Sequence, residues 1–308
     1  MAKQAKAGKG RYHFLMTLLV TSWGLEYALA KDALAVIDPV TLMTFKYVIG
    51  IGAVALILAF TSGFQKLRRQ DLLLVVLCSL FGEVMYFFCE YKAMDTLPVA
   101  VITIVLGFVP VLSIIVERLL FKRRPSGMLV LFMCINIAGI VLTIGGGISM
   151  PTGGKVVGYF FCLGAMASWV CYNFLTDKIA SSYSAILVAF YQMVFACLMT
   201  LPYSLCHLPD PVQLTSRVIL EVVYLGLASA GFGFLAYVIG IKNLGPTIAS
   251  IYSNFLPVTT AIFGVLLLGQ ELSLLQIIGG IVVIAAGLFV IREKARLELL
   301  RLRAQTRQ

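Results

Sequence analysis

Charge is what this sequence has least of. Only 12% of its 308 residues are charged and 60% are hydrophobic, whereas about a quarter of a soluble domain is charged. That deficit excludes a soluble globular fold and leaves no length for a soluble catalytic domain. Histidine is almost missing: His13 and His207 are the two in the chain, near opposite ends of their apolar runs. The seven cysteines show no CxxC spacing, and all but Cys206 fall within apolar runs. Neither a metal centre nor a disulfide framework is therefore expected. Gly153-Gly154-Lys155 has the ending of a phosphate-binding loop without its frame, since Ser149 and Val156 stand where glycine and Ser or Thr are required. With no nucleotide site, no cofactor and no convergent Ser/His/Asp or Cys/His set, an enzyme is not expected and any transport would draw on a gradient.

What is present is a succession of apolar runs, each near the roughly 20 residues that cross a bilayer as a helix. Ten spans are drawn, at residues 13–31, 39–61, 71–94, 98–121, 126–145, 157–177, 183–204, 218–242, 246–268 and 273–291. The first lacks a small-residue cleavage site at its end, so it reads as a retained helix. Breakers such as Asp38-Pro39, Leu97-Pro98, Arg124-Pro125 and Gly245-Pro246 separate the runs. The net charge of +10 would suggest nucleic acid in a soluble protein, but here the basic residues gather at helix ends. Lys3 to Arg11, Lys66 to Arg69, Lys122 to Arg124, Lys178, Lys242 and the tail from Arg292 all fall on one side of a ten-span chain. The positive-inside rule makes that side, with both termini, cytoplasmic. The basic tail 292–308 reads either as a frayed extension of the last helix or as a helix lying on anionic lipid.

The chain also repeats itself. Ser22-Trp23 is echoed by Ser168-Trp169, Phe45-Lys46 by Tyr191-Gln192, and Phe108-Val109-Pro110-Val111 by Phe255-Leu256-Pro257-Val258. A unit of five spans is odd, so the second copy enters the membrane upside down, as in many secondary transporters. These pairs, with Leu268-Gly269-Gln270-Glu271-Leu272, resemble the drug/metabolite transporter superfamily in the branch built from two EamA-type repeats. The first repeat lacks the matching ending: it reads Phe121-Lys122-Arg123-Arg124-Pro125, with Glu117 further inside the helix. The chain thus divides into a basic segment 1–12, a first repeat 13–145, a connector 146–156, a second repeat 157–291 and the basic tail. The resemblance implies an all-α membrane protein of ten transmembrane helices in two inverted five-helix repeats, in a bacterial-type inner membrane. It also implies a small organic metabolite, such as an amino acid or related compound, moved outward in the manner of the family's exporters.

Several polar residues sit inside the spans, where a charge facing lipid costs roughly 2.5 to 3.5 kcal/mol on insertion scales. Glu83, Tyr86 and Glu90 have the spacing of one helix face. Counting along the spans puts Trp23, Glu26 and Tyr27 in the middle to outer part, Glu83 near the middle, and Lys46 level with Glu90. A Lys46–Glu90 pair is therefore expected, leaving Glu26 and Glu83 as the acids free to handle protons or to attract a cationic group. The second repeat offers Trp169, Tyr172, Asn173, Gln192, Tyr237, Tyr252 and Asn254 instead, aromatic or hydrogen-bonding but uncharged. Together these line the expected cavity for a zwitterionic or amphipathic substrate, although each has a plain packing role open to it. Pro110 and Pro257 lie at matched places within their spans and are the candidate hinges. The rival reading is an integral membrane enzyme, or a subunit of a membrane complex, that uses the same acids. Its acids should then lie near one membrane face beside a second reactive group, which mid-helix positions do not provide.

Overall fold

A computed structural model describes residues 2–61, 63–97, 99–122, 125–145, 156–268 and 273–305. Residues 146–155 of the connector expected at 146–156, Arg123 and Arg124, Pro98 and the motif residues 269–272 lie outside the described residues. Ten helical segments follow one another: α1 Ala2–Leu34, α2 Pro39–Phe60, α3 Arg69–Met94, α4 in two pieces Val99–Leu106 and Val109–Phe121, and α5 Gly127–Gly145. The second set is α6 Val156–Ala180, α7 Ala185–Cys206, α8 Ser216–Leu244, α9 in pieces Pro246–Tyr252 and Leu256–Leu268, and α10 Leu274–Gln305. Among the described residues, six of these are long and apolar enough to cross a membrane: α2, α3, α6, α7, α8 and α10 through Leu297.

Their boundaries follow from local chemistry. Asp38 caps α2 by accepting from the Val40 N–H at 2.9 Å, with Pro39 at the first helical position. Ser184 and Thr215 cap α7 and α8 in the same way. The breaks in α4 and α9 fall just before Pro110 and Pro257, the former at Gly107-Phe108 and the latter at the 3₁₀ turn Ser253–Phe255. Proline has no N–H and its ring collides with the carbonyl four residues back, which is Leu106 in one case and Ser253 in the other. Each helix gives way there. Helix α1 begins at Ala2 and α10 continues to Gln305, so the basic segments flanking the spans are helical extensions rather than separate pieces. At 1.5 Å per residue the 32 residues of α10 reach about 48 Å, well beyond a bilayer core of about 30 Å.

The two ends of the bundle are identified by cross-chain contacts. At one end Arg217, opening α8, pairs with Asp32 near the close of α1, and Thr41 of α2 donates to the carbonyl of His207 beyond α7. Gly158, at the start of α6, lies against Thr96 and Leu97, just past α3. At the other end Tyr183, before α7, accepts from the Arg68 N–H before α3, and its carbonyl accepts from Lys242 late in α8. Ser126, before α5, donates to Glu293 late in α10. Helix α1 therefore ends where α6 begins, and the second five helices run inverted relative to the first.

Packing interlocks the repeats. Helix α1 lies on α8 and α9, while its counterpart α6 lies on α3 and α4; α2 pairs with α7, and α5 with α10. The third helix of each repeat carries a π-helical stretch, Leu80–Met85 in α3 and Leu225–Phe234 in α8. Glycines permit the close approaches there: a side chain at Gly82 would enter the Tyr172 ring, one at Gly226 would meet Ile49, and one at Gly233 would meet the Trp23 indole.

Candidate functional site

The cavity lies where these swapped helices meet. From α1 come Trp23, Glu26, Tyr27 and Ala30, spaced to share one helix face. Helix α3 adds Tyr86, Phe87, Glu90, Tyr91 and Met94; α6 adds Trp169; and the broken part of α9 adds Ser253 and Leu256. The free space admits water centres over about 20 Å³, room for a water or two but not for a metabolite. Any organic ligand needs the surrounding helices to part.

Glu90 is held by hydroxyls. Its Oε1 accepts from Tyr27 at 2.7 Å and from Tyr86 at 2.6 Å. Lys46, completely buried, pairs not with Glu90 but with Glu26, at 3.5 Å. Its ammonium also donates to the Tyr91 oxygen at 3.2 Å and lies 3.1 Å from the centre of the Phe87 ring, a cation–π contact. The expected Lys46–Glu90 pair is therefore corrected. Counting residues gives depth but not bearing, and the two phenols already satisfy the Glu90 oxygen that a lysine would seek.

The expectation that Glu83, Tyr86 and Glu90 share a face is corrected too. A π turn takes up one more residue than an α turn, which rotates the rest of the helix by about 100°. Glu83 lies within such a stretch, Leu80–Met85, and Glu90 lies beyond it. Glu90 faces the cavity. Glu83 does not line it, is completely buried, and has no hydrogen-bond partner on either carboxylate oxygen among the described residues. Its backbone carbonyl accepts from the Tyr47 hydroxyl at 2.6 Å, which ties the π stretch to α2.

The second repeat supplies the aromatic side. Trp23 and Trp169, the repeat-related pair, meet edge to face with centroids 5.8 Å apart, and Tyr86 lies 4.5 Å from Trp169. Tyr237 accepts from the Trp169 indole N–H at 3.1 Å and lies 5.4 Å from Trp23, behind the cavity wall. Tyr172 donates to Gln192 at 3.4 Å, and Gln192 donates to Thr176 at 3.0 Å. Since Tyr172 and Gln192 correspond to Glu26 and Lys46 in the repeat, the ion pair of one half becomes a neutral hydrogen bond in the other. Asn173 is buried beside the Tyr237 hydroxyl. Tyr252 bonds to His13 at 2.7 Å, and Asn254 donates to Asn136, which in turn donates to the Val283 carbonyl. Thus Trp23, Glu26, Tyr27, Tyr86, Glu90 and Trp169 come together at the cavity. Lys46, Glu83, Tyr172, Asn173, Gln192, Tyr237, Tyr252 and Asn254 do not line it. Phe87, Tyr91 and Ser253 were not singled out from sequence, though Phe87 and Tyr91 each follow a flagged residue by one position.

A family model described as the EamA-like transporter family matches twice, at residues 10–145 and 156–292. The chain belongs to that family. EamA-type repeats thus account for both five-helix halves, within the drug/metabolite transporter superfamily. An uncharacterized transporter of Archaeoglobus fulgidus is 22% identical over 91% of this chain and 98% of its own. The aromatic amino acid exporter YddG of Salmonella typhimurium is 24% identical over 71% of this chain and 76% of its own. A crystal structure, 20% identical, superposes with a TM-score of 0.73 over 95% of this chain and 99% of its own, so the fold is shared. This EamA-like chain is accordingly a multi-pass membrane transporter.

Proposed function

We propose that the chain is a secondary carrier that exports a small amino-bearing metabolite, such as an amino acid or a related compound, by alternating access. The observation that carries this reading is the pairing of two cavity carboxylates, Glu26 and Glu90, with aromatic walls from both repeats. An ammonium group would sit against the acids and an apolar body against Trp23, Trp169 and Tyr86. The name of the Salmonella relative, an aromatic amino acid exporter, agrees with such a ligand.

The rest of the reading concerns motion and direction. The end bearing Lys242 and the helical extensions faces the cytoplasm of a bacterial-type inner membrane, by its basic residues. At that end Glu117 of α4 takes Lys294 of α10 and Thr247 of α9 in a buried cluster between repeats. At the opposite end Arg217 joins Asp32 of α1 and Glu221 of α8. Parting one set while the other holds, with flexing beside Pro110 and Pro257, would expose the cavity to each side in turn. Glu83, the buried acid without a donor, and Glu26 are the groups assigned to proton coupling.

Uptake and efflux in proteoliposomes, with a panel of amino acids, nucleosides and organic cations and with or without a pH gradient, tests the proposal. An amino-bearing compound should be carried, faster with the gradient. Transport confined to compounds lacking a basic nitrogen would refute the substrate reading. Unchanged pH dependence in Glu26→Gln and Glu83→Gln proteins would refute the proton coupling.

A further inference from the structure

One lysine serves three acids inside this bundle. Lys46 pairs with Glu26 across α1 and α2, and both Glu90 and Glu83 lie within electrostatic range of its ammonium. The cavity reaches Glu26 and Glu90, yet it reaches neither Lys46 nor Glu83. A ligand can therefore compete for two of the acids that surround Lys46, while the third lies behind the wall. That third acid has no donor on either oxygen among the described residues.

The distances suit a short move. The Lys46 ammonium sits over Phe87, which is four residues beyond Glu83, about 6 Å along a helix axis. Tyr47, next to Lys46 on α2, already reaches the Glu83 carbonyl at 2.6 Å, so this part of α2 and the Glu83 turn lie side by side. The flexible lysine stem can swing its ammonium over a length of about that order. The groups facing Glu83 are Lys46 and Tyr47 from α2, Tyr172 from α6 and Cys78 of its own helix. On α7, Gln192 approaches the same region but does not titrate. Facing Lys46 are Glu26 from α1 and Glu83, Glu90, Phe87 and Tyr91 from α3.

Charge accounting supplies the rest. An unpaired charge in the membrane interior is expensive, so a cation that enters is best balanced by one that leaves. We propose that the Lys46 ammonium is a tethered cation that an incoming substrate ammonium displaces from Glu26 onto Glu83, which gives up its proton to water. The Glu83 O–H bond breaks, its electron pair stays on the carboxylate, and the proton passes to water that enters as the helices part to admit the substrate. One positive charge enters the buried cluster and one leaves, so its net charge is unchanged. The proposal rests on the carrier reading above and adds to it the residue that links substrate to proton. It also accounts for the asymmetry between repeats: Tyr172 and Gln192, in the places of Glu26 and Lys46, keep the helix contact but have no charge to pass on.

The experiment uses the purified full chain in detergent, phenethylamine as the ammonium probe, and 2-phenylethanol as its uncharged control. Amine binding and proton release are followed together in weakly buffered solution with a pH indicator. The wild-type protein should release about one proton per amine bound, the expected linkage of one cation to one acid. Glu83→Gln and Lys46→Met should bind the amine and release none. Difference infrared spectroscopy of the wild type should show a protonated-carboxyl band lost on adding the amine, a readout that does not depend on either variant folding. Amine binding with no proton release and no change in that band would overturn the relay while leaving the carrier intact. Release from Glu83→Gln equal to that of the wild type would overturn it as well. Failure of phenethylamine to bind at millimolar concentration would remove the ammonium site beneath it, and the relay with it.

Discussion

Replacing Gly82 with alanine tests the contact that brings the two repeats together beside Glu83. The added methyl would lie inside the Tyr172 ring, whose Cγ, Cδ2 and Cε2 are the nearest atoms. That ring has nowhere to go: Tyr172 is fully buried, with Trp169 at 5.0 Å, Phe234 at 6.2 Å and Tyr237 stacked at 6.2 Å. Overpacking a filled interior costs about 1 to 3 kcal/mol, and alanine recovers up to about 1 kcal/mol over glycine by helix propensity. With that gain subtracted a net loss of up to about 2 kcal/mol remains, and a deficit of about 1 to 3 kcal/mol against a site that gains the propensity alone. Gly52→Ala provides the control, since nothing lies within 4 Å of a methyl at that α2 position. It should gain the propensity term alone. Thermal unfolding in detergent should therefore lower the apparent melting temperature for Gly82→Ala and leave it level or raised for Gly52→Ala. The loss should shrink in Gly82→Ala/Tyr172→Ala compared with Tyr172→Ala, because the ring that blocks the methyl has gone. If Gly82→Ala is as stable as Gly52→Ala, the close approach of α3 to α6 is not as described.

Further outcomes concern the buried charges and amides. Lys294→Met removes the ammonium buried against Glu117 and should cost about 3 to 5 kcal/mol, whereas Glu117→Gln/Lys294→Met should recover much of it, as measured by unfolding of single and double variants. Arg217 is 73% exposed on its side chain, so Arg217→Gln should leave stability little changed, and a large change in transport rate would then report on opening of that end. Asn136→Leu removes the bonds to Asn254 and to the Val283 carbonyl and should cost about 1 to 3 kcal/mol by leaving buried polar groups unsatisfied, again read by thermal unfolding.

Much of the fold was legible in the sequence because its causes are local. Apolar length gives the spans, basic residues group their ends, and the repeated Ser-Trp and Phe-x-Pro-Val pairs give the symmetry. Pro110 and Pro257 announce the interruptions of α4 and α9, since a missing N–H acts within one turn. The site was legible in part. Trp23 and Trp169 meet as their shared motif suggests, and the acids are buried as their cost in lipid requires. What escaped is bearing. The π stretch of α3 follows no residue pattern beyond Gly82, and Glu83, inside it, stays off the cavity that Glu90 lines. The partner of Lys46 is likewise set by how α1 and α3 are rotated around α2, which depends on packing across the whole bundle rather than on counts along one helix.

The central claim is that two carboxylates between the repeats recognise an ammonium group. It is tested most directly by comparing the transport of phenethylamine and 2-phenylethanol in proteoliposomes that contain the wild-type chain or Glu90→Gln/Glu26→Gln. The account predicts carrier-dependent movement of the amine that is lost in the double variant, and no carrier-dependent movement of the alcohol. Equal carrier-dependent movement of both compounds, or amine transport undiminished without the two carboxylates, would contradict it.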